Sequence, residues 1–176
     1  MQIDLIYFNF YKMVCVCALI PRKFKSGLVI SRLQSKNLSK FIEDFSVGME
    51  STMEKIVTLE DIKKFADVSG DFNPVHLDEE FAKKTIFKSR IAHGFLTASF
   101  ISTIIATDLP GPGSIYLKQS LKFLAPVYIN EKILIKVRIV EVNIEKSKVK
   151  LSTECFKNKN LVLTGEAEIL IQAKNK

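Results

Sequence analysis

A seventeen-residue segment, 93–109, is apolar on nearly every face of the helix that it would form, and this restricts where it can lie. From residue 94 to residue 107 its polar residues are small, namely Thr97, Ser99, Ser102, Thr103 and Thr107. A helix that is hydrophobic all round is a buried helix. The segment is shorter than the roughly 20 residues that a membrane span needs, and the Pro-Gly-Pro-Gly run at 110–113 ends it sharply. We therefore predict a helix at the centre of a globular domain.

After that break the hydrophobic pattern changes from helical to alternating. Apolar and polar residues alternate in four segments, 115–123, 132–139, 148–155 and 161–171. Such alternation is typical of antiparallel strands that bury one face. A further strand is predicted at 51–57, which gives a sheet of about five strands.

The two patterns together predict one architecture. An antiparallel sheet with one apolar face must cover that face with another element, and the segment 93–109 is the only one apolar enough to do so. We therefore predict the α+β hot-dog fold, in which the sheet wraps around a long buried helix. One copy leaves a strand edge open, which favours edge-to-edge pairing of two copies in a homodimer.

The net charge of +7 is concentrated at the N-terminus. Residues 1–42 carry seven basic residues and one acidic residue, a net charge of +6, which leaves +1 for residues 43–176. The predicted domain is therefore nearly neutral, and we expect it to bind neither nucleic acid nor a membrane. The three cysteines, Cys15, Cys17 and Cys155, match neither a disulfide framework nor a zinc ligand set, which favours a reducing compartment.

Residues 1–38 do not resemble the rest of the chain. Their apolar run, 13–20, is too short to span a membrane, and they lack the pattern of a secretory signal. Their basic, acid-poor composition partly matches an organelle transit peptide. We expect a poorly ordered extension at 1–38, a hot-dog domain at 39–176, and a cytoplasmic protein, or an organelle-matrix protein if 1–38 act as a transit peptide.

The chain has only two histidines, and both lie near one loop. In the string Asp-Phe-Asn-Pro-Val-His, Asp71 and His76 supply a carboxylate and an imidazole, the groups that acid–base catalysis uses. His93-Gly94 then begins the apolar helix, where free N–H groups and a positive dipole end can face a developing oxyanion. Thr58 and Asp61 predict a capped helix before this loop that ends at Gly70, and Asp78 is predicted to cap a short helix after it.

Each of these residues also has a structural interpretation. Asp71 is compatible with an Asx turn before Asn-Pro, and His76 and His93 with buried, hydrogen-bonded histidines. Ser102 is compatible with a buried serine bonded one turn back. A Ser102-based nucleophilic triad is disfavoured because a serine in mid-helix has no nucleophile elbow. No spacing matches a metal site, and we expect neither a metal nor a cofactor.

Five strings of the chain, 71–78, 81–82, 91–96, 109–117 and 121–127, closely resemble the MaoC-like hydratases, and most of all the (R)-specific enoyl-CoA hydratases. The resemblance covers roughly residues 40–172. It implies a homodimeric hot-dog enzyme that adds water reversibly to a trans-2-enoyl thioester and gives the (R)-3-hydroxyacyl thioester.

The resemblance also implies roles for individual residues. Asp71 and His76 match the catalytic pair, and the Gly94 N–H matches the oxyanion donor. Asn73 and Ser102 match positions that shape the substrate site. Independently of the resemblance, the apolar face of the predicted helix is expected to line the acyl tunnel with Phe95, Ile101 and Ile105.

Three alternatives to the coenzyme A hydratase stay open. The same groups could serve a 3-hydroxyacyl dehydratase that acts on acyl-carrier protein in the reverse direction. A non-catalytic module that binds acyl-CoA is disfavoured by the Asp71/His76 pair. A hot-dog thioesterase is disfavoured because such enzymes usually lack the Asn-Pro-x-His loop. The predicted partners are therefore an acyl thioester, on coenzyme A or carrier protein, and a second copy of the chain.

Overall fold

A computed structural model describes residues 40–174. The predicted extension at 1–38 lies outside these residues. The helices are α1 (Leu59–Ser69), α2 (Pro74–Leu77), α3 (Glu79–Lys83) and α4 (Gly94–Thr107), and a short 3-10 helix covers Ile42–Asp44. The strands are β1 (Glu50–Ile56), β2 (Ile115–Phe123), β3 (Lys132–Asn143), β4 (Lys148–Lys157) and β5 (Asn160–Leu170).

The five strands form one antiparallel sheet that packs around α4. The strand order is β1-β3-β4-β5-β2, so β1 and β2 are the edges. Ile101, Ile104 and Ile105 of α4 are buried in the same core as inward-facing side chains of the sheet, among them Ile135, Leu151 and Ile169. The predicted sheet of about five strands around a buried helix is confirmed. Within residues 40–174, no helix combines the length and hydropathy that crossing a membrane requires.

Local capping defines the helices on either side of the Asp71 loop. The Thr58 hydroxyl accepts a hydrogen bond from Asp61 N at 3.1 Å, and the Asp61 carboxylate accepts one from Thr58 N at 2.9 Å. This reciprocal capping box begins α1, and Gly70, with φ of +75°, ends it. The Asp78 carboxylate caps α3 by accepting from the N–H groups of Glu80 and Phe81. Both predicted helix starts are therefore confirmed.

The edge strand β2 departs from the predicted alternation. Its pairing with β5 shifts register between Tyr116 and Lys118, so Leu117 interrupts the alternation. Apolar side chains of β2 are half exposed, Ile115 by 49%, Leu117 by 45% and Phe123 by 47%. The expectation that this strand buries one apolar face was wrong for the single chain, because β2 has a bulge and lies at the sheet edge.

Gly165 of β5 lies unusually close to the backbone of β2. A Cβ atom built on Gly165 would lie 1.8 Å from the Ser120 carbonyl oxygen and 3.0 Å from Gln119 Nε2. The Gln119 amide donates to the hydroxyl of Thr153 on β4 at 3.0 Å, and Thr153 is fully buried. The missing side chain at Gly165 therefore lets β2 lie against β5 and lets Gln119 reach across to β4.

Candidate active site

Two Asx-type turns shape the loop that carries Asp71. Asn73 N donates to Asp71 Oδ1 at 3.2 Å, and Val75 N donates to Asn73 Oδ1 at 3.2 Å. Pro74 occupies the first turn of α2, where its missing N–H costs nothing. The predicted turn role of Asp71 is thus present, and one oxygen of its exposed carboxylate is used in it. The turn also brings His76 to the inner side of α2, where it is buried.

His76 is held in one tautomer by a backbone carbonyl. Its Nδ1 lies 2.9 Å from the Ile91 carbonyl oxygen. Because that oxygen can only accept, Nδ1 carries the hydrogen and Nε2 keeps its lone pair. Burial lowers the pKa of His76 below its ordinary 6.5, and the neighbouring His93 lowers it further, although the Ile91 bond and Asp71 oppose this. His76 is therefore a neutral imidazole whose Nε2 has no hydrogen-bond partner within residues 40–174, the form of a general base.

His93 completes the cluster around His76. The two imidazole rings lie 3.8 Å apart, centroid to centroid, at an interplanar angle of 33°. His93 Nε2 donates to the main-chain carbonyl of Asp71 at 3.0 Å. His93 was not among the predicted site residues. The signal that could have identified it was present, since both histidines of the chain lie within this one stretch.

Asp71, His76 and His93 each place one potential ligand atom within 4.8 Å of the others. A carboxylate and two imidazoles are ligand types that transition metals accept. However, a carboxylate beside a neutral imidazole is also the pairing that general acid–base catalysis uses. We interpret the trio as an acid–base cluster, and the expectation of no metal stays a prediction.

A cleft of about 320 Å³ opens beside the start of α4. Its lining is mainly apolar and includes Phe87, Ile91, Gly94, Thr97, Phe123 and Val162. Gly94 is the first residue of α4, so its N–H has no acceptor within the helix. A Cβ atom at Gly94 would lie 2.8 Å from Phe123 Cε1, so the glycine leaves room for that ring. Gly94 and an apolar wall therefore line the same cleft.

The structure brings some of the predicted site residues together and leaves others apart. Asp71 and His76 belong to one cluster, and Asn73 shapes their loop. Gly94 follows His93 directly and lines the cleft. Ser102 is exposed two turns further along α4, and no hydrogen bond joins it to the cluster in residues 40–174. Its role in the substrate site stays a prediction.

The three residues expected to line an acyl tunnel fall in two environments. Phe95 is 65% exposed, and its ring packs edge-on against Phe123 with centroids 5.7 Å apart. Ile101 and Ile105 are 1% and 2% exposed. They lie in the core because they share the face of α4 that packs on the sheet, and they do not line the described cleft. A tunnel role for these residues stays a prediction.

Comparison with known proteins agrees with this fold. Residues 45–161 match the family described as "MaoC like domain". The chain belongs to the MaoC-like family. It is 42% identical over 134 residues to the (R)-specific enoyl-CoA hydratase of Rhodospirillum rubrum, a match that covers 76% of this chain and 93% of that protein.

Two further relatives of this MaoC-like chain extend the comparison. It is 40% identical over 152 residues to the mitochondrial 3-hydroxyacyl-[acyl-carrier-protein] dehydratase of Arabidopsis thaliana, covering 84% of this chain and 89% of that one. The solved structure of an (R)-hydratase from A. caviae involved in PHA biosynthesis superposes with a TM-score of 0.72 at 37% identity. That match covers 73% of this chain and 98% of the other. The predicted hot-dog fold and the predicted family are confirmed.

Proposed function

We propose that this MaoC-like chain adds water reversibly to a trans-2-enoyl-CoA and so forms an (R)-3-hydroxyacyl-CoA. The observation that carries the proposal is the Asp71–His76 cluster, in which His76 is neutral with Nε2 free. Support also comes from the relatives, which are hydratases and dehydratases, that is lyases, and which the chain matches over most of their length. An acyl-binding module would need no such pair.

The chemistry follows from the groups present. A water molecule between Asp71 and His76 gives one proton to His76 Nε2 as its oxygen bonds to the β-carbon. The Asp71 carboxylate accepts a hydrogen bond from the water's other O–H group and so orients the water. The proton on the imidazole then moves to the α-carbon, which restores neutral His76 and completes the addition of water. Positioned acid–base groups of this kind contribute about 10²–10⁴-fold to a rate.

The thioester oxygen gains negative charge as the α-carbon becomes enolate-like. We assign the Gly94 N–H as its donor, because that N–H begins a buried helix and borders the cleft. The apolar wall around it lowers the local dielectric and strengthens the bond. In other enzymes, removal of one such donor costs about 2.7–4 kcal/mol of transition-state stabilisation.

A homodimer is part of the same proposal. The strand β2 lies at the sheet edge, where its outer N–H and C=O groups are free to pair. Its half-exposed Ile115, Leu117 and Phe123, together with the exposed Phe95, form an apolar surface beside that edge. A second copy that pairs along β2 would cover this surface and the cleft next to it. These features support a dimer with its active site near the interface.

A second candidate function differs from the first in the carrier of the acyl group. The Arabidopsis thaliana relative is a dehydratase of acyl-carrier-protein thioesters, and the match to it is the longer one. The reverse reaction, loss of water from a 3-hydroxyacyl carrier thioester, would use the same residues. That relative is mitochondrial by its name, which supports an organelle matrix as the alternative to the cytoplasmic location.

Product analysis with both carriers tests the function. The full chain is incubated with the four-carbon trans-2-enoyl thioester of coenzyme A and, separately, of acyl-carrier protein. The products are hydrolysed, and the two 3-hydroxy acids are separated by chiral chromatography. We expect the (R) acid alone, with a higher kcat/KM on coenzyme A. A higher kcat/KM on the carrier protein favours the dehydratase, and the (S) acid would contradict the assignment to the (R)-specific hydratases.

The pH dependence of the reaction tests the role of His76. Because burial lowers the pKa of His76, its neutral form persists below the ordinary 6.5. If His76 is the base, kcat/KM stays level at neutral pH and falls on acidification, with a midpoint below 6.5. A steady-state pH profile on a coenzyme A substrate measures this limb. A limb that instead falls on the alkaline side of neutrality would assign the acid role to His76.

A further inference from the structure

His93 is a buried polar residue that the mechanism above does not use. It is 2% exposed and directly precedes α4. Its ring contacts two others, with centroid distances of 3.8 Å to the His76 ring and 5.0 Å to the Phe65 ring. The proposed mechanism gives His93 no contact with the substrate. Its contacts with Asp71 and His76 are therefore the feature to explain.

The hydrogen bonding of His93 defines its tautomer. Nε2 lies 3.0 Å from the Asp71 carbonyl oxygen, which can only accept, so Nε2 carries the hydrogen. Nδ1 is buried and has no hydrogen-bond partner in residues 40–174. A buried nitrogen without a partner is costly.

The donor of His93 holds a loop that has few other anchors. The stretch from residue 69 to residue 74 is exposed throughout, and its turns are built from its own side chains. His93 itself is anchored, because the neighbouring Ala92 N donates to Val127 O at 2.8 Å and Thr97 N donates to His93 O at 3.3 Å. The bond from Nε2 therefore ties Asp71 to the framework of α4.

The ring of His93 acts on the other member of the pair. His76 is fixed along one edge by its Nδ1 bond to Ile91, and the stacked His93 ring fixes the plane in which Nε2 points. The groups that face His76 are therefore the Asp71 carboxylate, the Ile91 carbonyl and the His93 imidazole.

We infer that His93 is a positioning residue for the proposed reaction, in which its Nε2–H holds the backbone of Asp71 and its ring holds the imidazole of His76. The inference rests on the proposed function. On this inference, the His93 side chain sets the distance between Asp71 and His76. It also connects both residues to Gly94, which follows His93 in the chain. A misplacement of about 1 Å in such a site can cost about 10²-fold in rate.

Two substitutions separate the donor of His93 from its ring. His93→Phe keeps a stacked ring and removes the donor, and we expect kcat to fall by about 10²-fold while KM changes less than about twofold. His93→Gln keeps an amide N–H at similar reach, and we expect it to recover part of that loss. Unchanged kcat in the folded His93→Phe variant would overturn the inference.

The titration of His76 gives a second readout that does not depend on turnover. Because the full chain has only two histidines, the single imidazole signal in each His93 variant belongs to His76. We expect the pKa of His76, measured by NMR, to rise in each variant while burial still holds it below 6.5, because the lowering effect of His93 is removed. An unchanged pKa would overturn the coupling between the rings. If the wild type hydrates no thioester, the proposed function fails, and this titration still tests the contact.

Phe65→Leu is the matched control for packing. Phe65 contacts the His93 ring, with centroids 5.0 Å apart, and among the described residues it makes no hydrogen bond to Asp71 or His76. We expect it to lower thermal stability about as much as His93→Phe while kcat and the pKa of His76 stay close to the wild type. An equal loss of kcat in Phe65→Leu would show that general packing explains the His93 effect, and would overturn the inference.

Discussion

Asp71→Asn and His76→Ala are each expected to lower kcat by about 10²–10⁴-fold, which is the contribution of positioned acid–base groups. Asp71→Asn removes the charge that orients the water, and His76→Ala removes the nitrogen that takes the water's proton. Since the two residues act as a unit, the double variant should be little slower than the worse single variant. Steady-state kinetics on a trans-2-enoyl-CoA, with circular dichroism to verify folding, measure these effects.

Asp78→Asn is the matched control for the pair. Asp78 is a nearby carboxylate whose side chain caps α3 by accepting from Glu80 N and Phe81 N, and it lies outside the cluster. Asparagine caps helices about as well as aspartate. The variant should therefore keep both its stability and its activity. A loss in Asp78→Asn comparable to that in Asp71→Asn would contradict the assignment of Asp71.

Gly165→Ala is expected to destabilise the domain by about 3 kcal/mol or more, the upper part of the range for overpacking. In an ordinary strand the same change stabilises by roughly 0.5–1 kcal/mol. Here the new methyl group would meet the Ser120 carbonyl oxygen at 1.8 Å. That oxygen belongs to the backbone of β2 and cannot rotate away, so β2 must separate from β5. Denaturant unfolding of the full chain measures the loss.

Gly70→Ala is the control for the general cost of replacing a glycine. Gly70 has φ of +75° and ends α1, and an added Cβ would meet no heavy atom within 4 Å. Its cost should come from the left-handed backbone alone, about 1–2 kcal/mol. If Gly165→Ala were as stable as Gly70→Ala or more stable, the close approach of β2 to β5 would not be a determinant of stability.

Much of the fold could be predicted because its signals are local. The capping pair Thr58 and Asp61 and the stop at Gly70 mark α1 by backbone chemistry alone. The all-round apolar segment predicts a buried helix, and α4 covers Gly94–Thr107 within it. The strand alternation holds well in β3 and β4, where inward residues such as Ile135 and Leu151 are fully buried.

The edge strand could not be predicted in the same way. Alternation in β2 suggests one buried face, but a bulge at Leu117 interrupts it, and bulges depend on how two strands meet. The close contact at Gly165 is likewise a property of the pair β2–β5, and a lone glycine in a strand does not indicate it. Both features arise from tertiary pairing that no single segment encodes.

The candidate site shows the same division. The Asp71 to His76 spacing on a turn that contains Asn-Pro predicted a clustered pair, and both residues lie in one cluster. The stacking of His93 on His76 required the position of α4 against α2, which spacing alone does not define. Ile101 and Ile105 were placed on a tunnel because they are apolar. The same property places them in the core, so composition cannot separate the two roles.

The most direct test of the account is the loss of enoyl absorbance when the full chain meets a four-carbon trans-2-enoyl-CoA, measured beside Asp71→Asn and His76→Ala. The account predicts a rapid fall with the wild type and an almost constant signal with either folded variant. A folded wild type that leaves both the coenzyme A and the carrier-protein thioester unchanged would contradict the hydratase and favour an acyl-binding module. Equal rates in wild type and variants would contradict the Asp71–His76 pair.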